Sequence, residues 1–232
     1  MQLKYSIILP CYNEYGNLKI IIPKLIALFK NKSFEILVID DNSPDGTFIK
    51  LKKIYKKNKM IKCFIRKKNA SLALSIKEGI KKSSGKIIIV MDSDYNHRPI
   101  DLKKMLNIFE KDNTDMVCGS RFLKGGFSST FFRHSSSLIY NYFINFLING
   151  KNTDNLSGFF ILKKKLIKKF LNKVFYGYGE YYIRLLYYLN KQKIKIKEIP
   201  IKYGPRKYGE SKSKLLTMFF LYTYYALKLI NK

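Results

Sequence analysis

Residues 87–91 read Ile87-Ile88-Ile89-Val90-Met91, and the run ends abruptly in Asp92-Ser93-Asp94. A continuous β-branched run marks a strand covered on both faces, which requires a sheet with helices above and below it. In open α/β sheets of that kind, ligands collect just past the carboxyl ends of the strands. Two carboxylates one residue apart at such a position can bring oxygen ligands to one hard cation, Mg2+ or Mn2+, which keeps places for water and substrate phosphate. Taken alone, Asp-Ser-Asp reads first as an ordinary polar turn closing a strand, and the neighbouring segments have to decide between the two.

Those neighbours repeat the pattern. Residues 5–9 form an apolar strand that runs into Pro10-Cys11-Tyr12-Asn13-Glu14, and Leu18, Ile21, Ile22, Leu25, Ile26 and Phe29 then recur at the helical period. A strand over 34–39 leads to Asp40-Asp41-Asn42-Ser43-Pro44-Asp45-Gly46-Thr47, dense in residues that cap helices and accept unusual backbone angles. A lysine-rich helix to about residue 57, a strand over 61–65 and a helix over 71–83 follow. Three strand-loop-helix units in succession predict right-handed crossovers and a mainly parallel α/β sheet flanked by helices. The loops after the first, second and fourth strands carry the polar groups, so they converge on one sheet edge. Beyond Pro99 the reading continues with a helix through Phe109, strands at 116–118, 157–162 and 194–201, and a helix opened by Gly179-Glu180. Neither a GxGxxG nor a Walker sequence is present, so dinucleotide binding and ATP hydrolysis lack their usual signatures.

With 232 residues, 47% of them hydrophobic, the chain suits one domain over 1–212 with an apolar helix over 213–232. Cys11, Cys63 and Cys118 are widely spaced and form no CxxC pair, which fits a reducing cytoplasm better than a disulfide framework or a zinc site. Met1 leads almost directly into a strand, so no signal peptide is expected. The formal net charge of +29 points to nucleic acid, an anionic membrane surface or phosphate-rich substrates. It is also what lysine-solvated helices produce in a chain rich in Lys, Asn, Ile and Tyr. A nucleic-acid reading needs clustered arginine and stacking aromatics on a defined motif, and none occurs, so no nucleic acid partner is expected.

The ordered set Leu9-Pro10-Cys11-Tyr12-Asn13-Glu14, Val38-Ile39-Asp40-Asp41, Met91-Asp92-Ser93-Asp94, Gly119-Ser120-Arg121, Ser157-Gly158-Phe159 and Arg206-Lys207-Tyr208-Gly209-Glu210-Ser211-Lys212 resembles the family 2 glycosyltransferases with the GT-A fold. Within that family the chain is most similar to the dolichol-phosphate mannose synthases and their bacterial polyprenyl-phosphate relatives. The resemblance implies that Pro10, Tyr12, Glu14, Ile39 and Asp41, with Asp92 and Ser93, hold a nucleoside-diphosphate sugar. It implies Asp92, Asp94 and the neutral oxygen of Asn96 as ligands of Mg2+ or Mn2+. It assigns phosphate contacts to Arg121, Arg206 and Lys212, with Arg121 and Arg133 on the acceptor phosphate. Asp94, Arg121, Arg206 and Lys212 are thereby the expected catalytic group.

The activity so implied is inverting transfer of a sugar to a polyprenyl phosphate, with GDP-mannose expected first and UDP-glucose or another donor left open. A saccharide acceptor is the alternative, although the (Q/R)xxRW signature of many such enzymes is missing. A phosphate acceptor is already anionic near neutral pH, which accounts for the absence of an obvious base. A polyprenyl acceptor comes from a membrane, so a peripheral position on its cytoplasmic face is implied, with a membrane-protein partner or a homo-oligomer left open. The apolar segments 138–148 and 215–230 both fall short of the ~20 residues that span a bilayer. They suit helices lying in the interface or helices packed on the sheet. His97 is expected to be a plain turn residue, and Glu180 either to orient a sugar hydroxyl or to cap a helix.

Overall fold

The computed structural model describes residues 4–67, 70–128, 130–204, 208 and 215–230. The strands are β1 (Tyr5–Cys11), β2 (Phe34–Asp40), β3 (Ile61–Ile65), β4 (Ile87–Val90), β5 (Met116–Ser120), β6 (Phe160–Lys163) and β7 (Ile196–Pro200). They form one sheet in the order β3-β2-β1-β4-β6-β5-β7. The first four are mutually parallel, β5 and β7 are parallel, and β6 runs antiparallel to both of its neighbours. The β-branched run at 87–90 lies at the centre and is wholly buried, as its sequence required.

The helices are α1 (Tyr15–Leu28), α2 (Thr47–Ile54), α3 (Leu72–Lys82), α4 (Pro99–Lys111), α5 (Phe131–Ile148), α6 (Leu171–Val174), α7 (Tyr181–Lys191) and α8 (Leu215–Ile230). Helices α1, α2 and α4 cover one face of the sheet through Leu18, Leu25, Leu51, Leu102 and Phe109. Helices α3, α6 and α7 cover the other through Ile76, Ile80, Val174 and Leu185. Outside α7 lies a third, smaller cluster in which Ile144 and Ile148 of α5 meet Tyr187 of α7 and Tyr222, Ala226 and Leu229 of α8. The segment 138–148 therefore does not sit on the sheet. It belongs to a longer helix, α5, capped by Thr130, whose hydroxyl accepts the Arg133 N–H at 3.3 Å.

The direction of β6 follows from that helix. Strand β5 ends at the carboxyl edge, and α5 does not carry the chain back beneath the sheet. Arg121, just past β5, is hydrogen-bonded to Asp154, just before β6. The chain therefore re-enters from the edge it left, and antiparallel pairing is the only one open to it. The periodicity of residues 157–162 announced a strand but carried no sign of its direction.

At the opposite edge, Glu35 is buried in β2 and accepts hydrogen bonds from Ser6 Oγ at 2.7 Å, Ser84 N–H at 2.6 Å and Lys62 Nζ at 2.7 Å. Burial pushes its pKa up, but the Lys62, Ser84 and Ser6 donors outweigh this and hold it below the ordinary value. In acid the unfolded chain therefore takes up this proton first. The stabilisation is present above the unfolded carboxyl pKa of about 4.5 and is lost as the pH falls below it. Urea titrations across that range are expected to show a shallower acid limb for Glu35→Gln than for wild type. An unchanged limb would show that Glu35 is not one of the groups responsible.

Candidate functional site

The parallel strands β1, β2 and β4 deliver their following loops to one place. A cleft of about 340 Å3 opens there, lined by Pro10, Cys11, Tyr12, Glu14, Asp41, Ala70, Ser71, Leu72, Asp92, Ser93, Asp94 and Tyr178. Of the residues expected around a nucleotide sugar, Pro10, Tyr12, Glu14, Asp41, Asp92 and Ser93 all reach this cleft. Ile39 does not. It is buried beneath α3, where a Cβ on Gly79 would lie 3.3 Å from its side chain, because in β2 it points to the helix-covered face instead of the edge.

The loop after β4 is held from several sides. Ser93 Oγ donates to the carbonyl of Pro10 at 2.8 Å, tying it to the end of β1. Asp94 accepts the Asn96 N–H at 3.0 Å and Asn96 Nδ2 at 2.8 Å, so the Asn96 amide braces the carboxylate that it was expected to assist in coordination. Between them Tyr95 takes a left-handed φ of 73°, costly for an aromatic residue. Gly204 closes over it, since a Cβ there would stand 2.7 Å from the Tyr95 carbonyl.

His97 is no plain turn residue. It is fully buried, stacked on Phe159 at 4.5 Å, and its Nδ1 accepts the Asp92 N–H at 2.8 Å. Burial pushes its pKa down to about 4 against the pull of the Asp94 carboxylate, so the imidazole is a neutral brace beneath the two aspartates. The donor set fits a hard cation: Asp92 and Asp94 are both at the cleft surface and both offer carboxylate oxygen. Among the described residues no group of three or more His, Cys, Asp or Glu gathers anywhere, so here the remaining positions fall to amide, water or phosphate oxygen.

Asp41 has a partner that the sequence reading passed over. Arg66, directly after β3, forms an ion pair with it through Nη1 and also donates to Ser75 Oγ at 3.1 Å. The second Asp41 oxygen accepts the Ser71 N–H at 2.7 Å. Attention to the carboxyl end of β3, as given to the other strands, would have found Arg66. Glu14 accepts Asn17 Nδ2 at 2.6 Å, and the same nitrogen donates to the carbonyl of Tyr208 at 3.1 Å. The Tyr208 ring lies against Gly16, so Tyr208 sits over the start of α1. Arg206 and Lys212 lie outside the described residues.

Arg121 is buried, with Nε and Nη2 on the two oxygens of Asp154 at 2.8 and 2.9 Å and its guanidinium 4.8 Å from the Tyr203 ring. Burial works against its charge, yet Asp154 outweighs burial and keeps the pKa above the ordinary arginine value. Asp154 stands in a polar run, Asn152-Thr153-Asp154-Asn155, between an apolar helix and a strand, and that contrast was its only signal. Arg133 is exposed at the start of α5. Glu180 is buried, accepts the Tyr178 N–H at 3.0 Å and lies 3.6 Å from Arg184, so it ties down the loop before α7 and does not face the cleft.

Comparison with known proteins gives this arrangement a context. Residues 6–171 match the family model described as glycosyl transferase family 2. A dolichol-phosphate mannosyltransferase of Pyrococcus furiosus is 31% identical over 225 residues, which are 94% of this chain and 61% of the relative. A protein of that description in Saccharomyces cerevisiae is 26% identical, with 91% and 82% of the two chains covered. This chain thus spans less than two thirds of the Pyrococcus furiosus protein's length. A Mycobacterium tuberculosis glucosyl-3-phosphoglycerate synthase, solved with Mn2+, UDP and phosphoglyceric acid, superposes with a TM-score of 0.71 at 17% identity, covering 97% of this chain and 77% of its own. The sheet with its flanking helices is therefore the GT-A architecture expected from the sequence, and the chain belongs to glycosyl transferase family 2.

Proposed function

We propose that the protein transfers a sugar from a nucleoside diphosphate, GDP-mannose first among donors, to a polyprenyl phosphate. One observation carries this reading: Pro10, Tyr12, Glu14, Asp41, Asp92 and Asp94, far apart in sequence, line one cleft at the carboxyl edge of the sheet. The Tyr12 ring offers a face to a base, and the carboxylate of Glu14 accepts from ribose hydroxyls. Asp92 and Asp94 would hold Mg2+ or Mn2+, which when bound supplies positive charge to the departing diphosphate. Arg206 and Lys212 add cationic donors from the segment on either side of Tyr208.

The acceptor phosphate has a second pKa near ~6 and is its own nucleophile at neutral pH. Its oxygen forms the new bond to the anomeric carbon on the face opposite the breaking bond, and the nucleoside diphosphate leaves with the electron pair. Arg121 acts as a positioning residue. With Nε–H and one Nη2–H held by Asp154, the Nη1 hydrogens and the second Nη2–H are left to face an anion, while Arg133 would meet the acceptor phosphate from the surface.

The lipid would be met by α5 and α8. Phe131, Phe132, Ile139, Tyr142 and Phe146 of α5 are exposed, as are Phe220, Tyr224 and Leu227 of α8, and Tyr140 Oη bonds the Phe219 carbonyl at 3.1 Å to hold the pair together. Among the described residues no helix is long and apolar enough to cross a membrane. Aromatic faces of this kind suit helices lying in the interface, on a peripheral protein of the cytoplasmic face. Phe146→Ser with Phe220→Ser, at positions 84% and 68% exposed, removes two apolar anchors at little cost to the fold. Partition onto phosphatidylcholine vesicles is expected to fall by about two orders of magnitude. Equal partition of the variant would remove this face from the reading.

The test of the function is transfer of labelled sugar from GDP-mannose, and in parallel UDP-glucose, to a short-chain polyprenyl phosphate with Mg2+ or Mn2+, with and without EDTA. Metal-dependent label in the lipid phase from GDP-mannose is the expected result. Label from UDP-glucose alone would change the donor, and label only in an added saccharide would change the acceptor.

A further inference from the structure

A second cavity, of about 760 Å3, lies between α6, α7 and α8 and shares no lining residue with the acidic cleft. Its walls carry Lys173, Lys191 and Lys228 together with Tyr176, Tyr188 and Tyr225. None of the three lysines has a carboxylate within ion-pair reach among the described residues. Lys191 instead lies over the Tyr187 ring at 4.5 Å. The charge behind the wall has the same sign. Arg184 is buried against Tyr176 at 3.7 Å and Tyr225 at 5.0 Å, and its Nη1 finds no hydrogen-bond partner. Glu180, 3.6 Å from Arg184, offsets only one of these four charges.

From this cluster we infer that the cavity between α6, α7 and α8 is a phosphate-binding site distinct from the acidic cleft. Ammonium groups are compact point charges that suit a tetrahedral anion with several oxygens, whereas a planar carboxylate is better matched by an arginine fork. Tyrosine hydroxyls add donors, and the rings give flat walls to whatever organic group carries the phosphate. The cavity has room for such a group, being far larger than one ion. It is bounded by α8, whose outer arc bears the exposed Phe220, Tyr224 and Leu227. The phosphate can therefore come from an anionic lipid headgroup at the interface or from a small phosphorylated molecule in solution. The lipid source rests on the membrane reading above; the phosphate site does not.

The experiment compares wild type with Lys173→Gln/Lys191→Gln/Lys228→Gln and with a control of equal charge change, Lys53→Gln/Lys56→Gln/Lys57→Gln, at exposed positions of and after α2. The control is needed because a chain of net charge +29 attracts any anionic surface. One arm measures sedimentation with vesicles of phosphatidylcholine and of phosphatidylcholine with phosphatidylglycerol. The other follows sn-glycerol 3-phosphate by 31P NMR. The expected result is that the cavity variant loses about a hundredfold of the preference for phosphatidylglycerol, by the usual contribution of basic residues at a membrane surface, while the control keeps most of it. Loss confined to the vesicle arm assigns the phosphate to a headgroup, and loss of glycerol phosphate binding as well assigns it to a soluble ligand.

Identical behaviour of the cavity variant and the control in both arms overturns the inference. If the triple variant does not fold, Lys191→Gln alone is carried through both arms, with about a fivefold loss expected. Partition of wild type onto pure phosphatidylcholine reports the aromatic face separately, so failure of the membrane reading and failure of the phosphate site give different results.

Discussion

Asp94→Ala is expected to lower sugar transfer by about three orders of magnitude, the scale on which removal of one charge-stabilising group acts in a preorganised site. The side chain is buried but for its face on the cleft, and it is one of the two carboxylates offered to the cation. Its loss also strips the Asn96 N–H and Nδ2 of their acceptor, at a cost of about 1–3 kcal/mol in stability. Asp94→Asn separates the two effects, since an amide keeps the shape and one acceptor but not the charge. Both variants are expected to remain folded in thermal melts and to lose transfer together, with no rescue by excess Mg2+. A variant that keeps transfer within about tenfold of wild type would take Asp94 out of the chemistry.

Asp154→Ala is expected to act on the fold. It would leave the Arg121 guanidinium buried with no counter-charge, and the breaking of a buried pair in this way costs about 3–5 kcal/mol. The Arg121 backbone N–H, which donates to Asp154 Oδ2 at 3.1 Å, loses its acceptor as well. Urea unfolding should show the midpoint falling with little change in slope. Arg121→Met/Asp154→Leu is expected to recover most of the loss, because replacing both charges with apolar groups removes the desolvation cost along with the attraction. A loss below about 1 kcal/mol for Asp154→Ala would mean that solvent reaches the guanidinium despite its burial.

These two residues also mark what the sequence made legible. Asp94 stands out because the run at 87–91 ends in two carboxylates, and the polar loops that follow the neighbouring strands, with its own strand position, place it at the ligand edge instead of in an ordinary turn. Asp154 sits before an antiparallel strand, at its amino end, and a rule that inspects only the residues following strands cannot find it. Tyr203, which meets both Arg121 and His97, does follow a strand, β7, but as an uncharged aromatic it carried no mark of that role. His97 was misread for a different reason. Its role depends on being stacked against Phe159, more than sixty residues away, and no local pattern encodes that distance. Ile39 lies inside β2 and packs into the core beneath α3, whereas Asp41 lies just past the strand end and reaches the cleft, a difference of one turn of the loop that residue pattern does not show.

The short loop at 177–180 forms the cleft wall through Tyr178 and is held from both flanks. Ser71, at the start of α3, donates its hydroxyl to the Gly177 carbonyl at 2.5 Å. On the far flank the hydroxyl of Tyr222 lies so close to Gly179 that even a methyl group there would collide with it. This wall therefore has no clearance of its own. A shift of α8 by a fraction of an ångström toward Gly179 must displace the loop or be resisted by it, so the tolerance with which the cleft is shaped is set partly by how α8 is seated.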